Sequence, residues 1–126
     1  YGKERVDIDT LKKERLISAG IDVDGVLERF MGNESLLDRM LKKFVSDGNY
    51  ARLLTAVEQK DPEEALRASH TLKGLCGNLS MTALLPLFTR QVELFRAGDP
   101  EGAYALLPEI TSAYLRVIEA INSLTA

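Results

Sequence analysis

The sequence predicts an all-α chain, an antiparallel up-and-down four-helix bundle with short additional N-terminal helices. Apolar residues recur every three or four positions along most of the chain, and no segment alternates as a strand would. The connections carry helix punctuation. Asp61-Pro62-Glu63-Glu64 and Asp99-Pro100-Glu101 each place Asp at an N-cap, Pro at the first helical position and acid in the first turn.

In chain order, a short amphipathic segment is expected over about Asp9–Ala19 and a second over about Val23–Met31. Asn33-Glu34-Ser35, after Gly32, opens a long helix over about Ser35–Lys60, with Leu36, Leu37, Met40, Leu41, Phe44, Leu54 and Val57 on its apolar face. Gly48-Asn49 interrupts that pattern and is expected to loosen or bend it. The next helix runs over about Pro62–Leu79. Another follows over about Met81–Ala97, with Leu84, Phe88, Val92 and Phe95 on one side, and Ala97-Gly98 supplies a stop. The last runs over about Pro100–Leu124, carrying Leu107, Ile110, Tyr114, Val117, Ile118 and Ile121, with a kink at Pro108. Four long helices on short connections make a bundle, and the N-terminal segments are left to cap one end.

With 126 residues, 45% apolar and 28% charged, the chain suits one soluble domain with one core. Aromatics are only 6% and Trp is absent, so the core must be mainly aliphatic. A net charge of -3 argues against nucleic acid as the main partner. The small basic groups (Lys12, Lys13 and Arg15; Lys42 and Lys43) have acids close by, as solvated helix faces do. The single Cys76 cannot form an internal disulfide and points to a reducing compartment, the cytoplasm. No apolar run approaches the ~18 residues of a membrane span, so no membrane insertion is expected.

The lone histidine, His70, falls in the Pro62–Leu79 helix. At about 100° per residue, Ala65, Ala68, Leu72, Leu75, Cys76 and Leu79 lie between about 140° and 240° from it. His70 should therefore face water, and a core histidine fits poorly. Gly74 and Gly77, at i+4 and i+7, lie within about 40° of it. Each costs about 1 kcal/mol against Ala in a helix, a local violation of the kind that marks functional surface. The bland alternative is that Gly74 lets two helices pack closely. Lys73, one turn from His70, can reach a group attached to the ring. Leu66, at i-4, reads as an exposed apolar residue, ordinary alone but able to serve a docking surface there.

An imidazole nitrogen is a nucleophile when neutral, and a phosphoryl group on it would carry charge that Lys73 could offset. Other chemistries fit less well. One His and one Cys do not make a metal site. Cys76 and His70, at i and i+6, occupy different faces, and no glycine-rich phosphate loop occurs. Stand-alone enzymatic catalysis is not expected.

The segment Ala68-Ser69-His70-Thr71-Leu72-Lys73-Gly74-Leu75-Cys76-Gly77-Asn78-Leu79 resembles the signature of histidine-containing phosphotransfer (HPt) domains. The match lies at His70, Leu72, Lys73, Gly74, Asn78 and Leu79, and the likeness in layout extends from Ile21 to about Leu124. It implies a phosphotransfer domain over 21–126 behind an N-terminal helical extension, 1–20. It further implies a four-helix bundle relaying a phosphoryl group between His70 and the aspartate of response-regulator receivers in two-component signalling. Lys73 would stabilise the phosphoryl group, and Gly74, Gly77, Leu66 and Arg67 would form the receiver-docking face. Gln91 and Glu93 are both candidates for orienting the imidazole. No cofactor is implied, since the family's magnesium sits in the receiver. The partners would be a receiver, a sensor histidine kinase, or both, and the chain is expected to be monomeric. Ser80 stands where the family usually has Gly, and is expected to cap the helix from Met81. The alternative reading is a helical docking module that is never phosphorylated.

Overall fold

A computed structural model describes residues 2–123, with side chains from residue 10 onward. Those residues form eight helices and no strand: α1 (Gly2–Ser18), α2 (Val23–Arg29), α3 (Glu34–Ser46), α4 (Asn49–Glu58), α5 (Pro62–Asn78), α6 (Leu85–Arg96), α7 (Pro100–Ala105) and α8 (Leu107–Asn122). Four rods make the bundle. The composite α3–α4 packs through α4 on α5, α5 on α6, α6 on α7 and α8, and α8 back on α3. α1 rests on α8 and α2, and α2 on α3.

The predicted caps close as their chemistry requires. Asn33 Oδ1 accepts from the Leu36 amide (3.0 Å), Asp61 from Glu64 (3.2 Å) and Asp99 from Gly102 (2.9 Å). Each satisfies one of the amides that the first turn of a helix leaves without a partner.

Four boundaries differ from the sequence expectation. α1 starts at Gly2 rather than near Asp9. No Pro or Gly interrupts the chain from Lys3 to Ser18, so the helix continues past its amphipathic part. The long helix expected over Ser35–Lys60 breaks rather than bends. Asp47 is extended (φ -70°, ψ 132°), and its Oδ1 accepts from both the Asn49 amide and the Asn49 side chain. That local hydrogen bonding competes with the helix and resets its phase. In α4 Leu53 and Ala56 are therefore buried, while Leu54, expected in the core, is 37% exposed.

The helix expected from Met81 begins at Leu85, and Ser80 is not its N-cap. Ser80 has φ +50° and ends α5 instead. The Met81 amide donates to Cys76 O (2.9 Å) and the Ser80 amide to Gly77 O (3.3 Å), the paired bonds of a Schellman ending. A left-handed residue is needed there, which is why glycine is the usual occupant of such a position. Finally, the segment from Pro100 divides at Leu106 into α7 and α8, because Pro108 has no amide to continue α7 and serves as an early residue of α8. The expected end at Leu124 lies outside the described residues.

The core is aliphatic, as the composition requires. Leu41, Leu53, Leu72, Leu84, Phe88, Ile110 and Ile121 are among its fully buried side chains. Leu16 and Ile21 lie in the same cluster as residues of the four rods, so the N-terminal helices share the bundle's core. Tyr50 and Tyr114 stack at 3.8 Å where α4 meets α8, and Tyr50 Oη donates to Thr111 Oγ1 (2.6 Å).

Candidate functional site

α5 carries the site. Asp61, Pro62, Glu63 and Glu64 start it, and the N-terminal acids suit the positive end of the helix dipole. Its buried stripe is Ala65, Ala68, Ser69, Leu72, Cys76 and Leu79, all within 2% of complete burial. His70 is exposed on the opposite side, and among the described residues its ring makes no hydrogen bond. The helix register alone puts the imidazole in water.

The strip beside it is bare. Gly74 is exposed, and a Cβ built on it would meet nothing within 4 Å. Tight helix packing therefore does not explain this glycine. A Cβ on Gly77 would find only Leu85 Cδ1, at 3.9 Å, an ordinary contact. Lys73 is half-buried and forms no ion pair among the described residues, so its ammonium is uncommitted.

One residue of the expected docking face, Leu66, sits differently. It is not left in solvent but is half-buried against the core. Arg67 is exposed and paired with Glu64 (3.0 Å), which also binds Arg52 of α4. The Arg52 hydrogen bond first, and then that of Arg67, hold the Glu64 carboxyl below its ordinary value.

Neither expected partner of the imidazole reaches it. Glu93 is exposed and lies 3.8 Å from Arg90. Gln91 is fully buried: its Oε1 accepts from Ser69 Oγ (2.7 Å) and its Nε2 donates to Ala103 O (3.0 Å). It thus ties α5, α6 and α7 together beneath His70 rather than holding the ring. The signal for this was present in the sequence, since Gln91 falls in register with Phe88, Val92 and Phe95 on the inward stripe. A buried amide there must find partners, and Ser69, at the edge of the α5 stripe, supplies one.

Cys76 is buried, and burial pushes its thiol up to about 12, so it remains protonated at neutral pH. Among the described residues no three His, Cys, Asp or Glu side chains gather as a metal site, and no helix is long and apolar enough to cross a membrane.

The family model for the Hpt domain matches residues 36–121, more than half of the chain and all of the strip around His70. The chain belongs to the Hpt-domain family. Searches of curated proteins and of solved structures returned no match. Hpt domains are phosphotransfer modules of two-component signalling that interact with receivers and kinases, and this chain's all-helical bundle has their fold. The matched segment begins within α3, leaving α1 and α2 outside it.

Proposed function

We propose that this Hpt domain is a phosphorelay intermediate whose His70 exchanges a phosphoryl group with the aspartate of a response-regulator receiver. The observation that carries the reading is the pairing of an exposed, unbonded imidazole with open space at Gly74. The neutral imidazole nitrogen attacks the phosphorus of the partner's aspartyl phosphate. A P–N bond forms as the P–O bond breaks, and the aspartate carboxylate leaves with the electron pair. The reverse sequence returns the group.

This chain's share is access, orientation and charge. The α5 register aims the ring outward, Gly74 admits the partner's loops, and Lys73 offsets the charge of the transferred group. The catalytic groups, and any metal, belong to the partner in this reading. The chain would work in the cytoplasm as a monomer, with 1–20 as an extension of the phosphotransfer domain.

Incubation with a phosphorylated receiver tests it. The expected result is transfer of an acid-labile, base-stable label to the wild-type chain and none to His70→Gln. A chain that binds the receiver but never acquires label is a docking module, and that outcome overturns the carrier reading.

A further inference from the structure

The last turn of α5 and the segment after it are held by residues N-terminal to the four rods. Gly20 O accepts from the Ala83 amide (3.2 Å) and from Thr82 Oγ1 (3.1 Å), and the Asp22 amide donates to Ser80 O (2.8 Å). Arg29, the last residue of α2, completes the connection. Its Nη1 donates to Gly77 O (3.1 Å) and to Asn78 O.

These two carbonyls lie in the last turn of α5, at the negative end of the helix dipole, and Gly77 O accepts from Arg29 in addition to the Ser80 amide. A guanidinium is well matched to that position by charge and by its planar donors. Arg29 is itself exposed, as is Asn78, and Gly77 belongs to the strip that begins at His70.

Scale decides whether this matters for docking. Residues 70 and 78 are eight apart, about 12 Å along the helix axis. A standard interface covers about 800 Å² on each partner, a disc of roughly 16 Å radius. A receiver centred on His70 therefore reaches the Gly77–Ser80 turn.

Resting on the phosphotransfer reading above, we infer that Arg29 is a positioning residue for receiver docking. It clamps the last turn of α5, and that turn is the far edge of the docking strip. Since α2 lies outside the family-matched segment, the clamp is a contribution of the N-terminal helices to the surface that the partner meets.

The test is transfer from a phosphorylated receiver at varied receiver concentration, with wild type, Arg29→Ala and Arg29→Lys. Arg29→Ala should raise the half-saturating concentration roughly three- to tenfold, the scale of one ordinary hydrogen bond. The limiting rate and the phosphohistidine lifetime should stay as in wild type. Arg29→Lys, which keeps the charge on a shorter side chain, should recover part of the loss. An unchanged half-saturating concentration in Arg29→Ala overturns the inference, even if the variant melts at lower temperature. So does a loss confined to the limiting rate.

Receiver binding to His70→Gln chains, followed by calorimetry with and without Arg29→Ala, keeps the two readings apart. Weaker binding with Arg29→Ala supports the clamp even if the wild type never takes label. Equal binding removes the clamp and leaves the phosphotransfer reading untouched.

Discussion

Residue 70 lies on the exposed side of α5, opposite its buried stripe, and everything asked of His70 follows from that register. The helical wheel was enough to find it, because Ala65, Ala68, Leu72 and Cys76 each return to the buried face within one or two turns. What periodicity does not carry is the choice of partner. Gln91 has the composition of a ring-orienting residue, yet its depth commits it to Ser69 and Ala103. Gly74 shows the opposite case, where the structure decides between two explanations of one glycine. With nothing within 4 Å of an added Cβ, Gly74→Ala should stabilise the domain by up to about 1 kcal/mol in chemical denaturation. Gly74→Leu should keep the fold but slow receiver-dependent transfer on the order of tenfold to a hundredfold, by displacing the partner from in-line geometry. Unfolding of either variant, or full transfer by Gly74→Leu, would contradict the clearance role.

At the scale of the element, capped starts were legible and stops were less so. Asp61 and Asp99 announce their helices because Asp followed by Pro has one dominant use there. Breaks depend on side chains hydrogen-bonding their own backbone, and such competition leaves a weaker trace. Asp47 halts α3 in this way, and the phase shift it causes exchanges Leu54 for Leu53 in the core. Ser80 departs from its expected N-cap role for a related reason. Serine is a common N-cap, and nothing local distinguishes the end of α5 from the start of α6. Its φ of +50° makes a further expectation. Ser80→Gly should raise stability by about 1 kcal/mol, since glycine adopts the left-handed conformation without steric cost. Denaturant titration checks this, and a loss of stability would mean that the Ser80 side chain outweighs the backbone strain.

The whole molecule is an aliphatic bundle with its one thiol sealed inside. Composition foretold the aliphatic core and the absence of an internal disulfide. It could not foretell that α1, α2 and the turn between them share that core through Leu16, Ile21, Val23 and Val26, which requires knowing where the N-terminal helices lie. Burial of Cys76 has a consequence for the entire fold. Its folded-state pKa, about 12, lies above the ordinary 9.0, so the unfolded chain releases the proton more readily. The corresponding stabilisation is complete below pH 9 and is lost as pH rises from there through about 12. Tyr114, raised chiefly by desolvation, adds to the same trend. Unfolding free energy measured between neutral pH and pH 11 should therefore fall more steeply for wild type than for Cys76→Ala. Equal slopes would contradict a buried neutral thiol.

In the proposed reading, fold, family and exposed strip meet in one chemical event, the arrival of a phosphoryl group on His70. Peptide mapping after exposure to a phosphorylated receiver, under neutral to alkaline conditions that preserve phosphohistidine, observes that event directly. The account predicts the modification on the peptide containing His70, at the imidazole, and its absence from His70→Gln. Modification at another residue, or none under conditions where the receiver demonstrably binds, would contradict it.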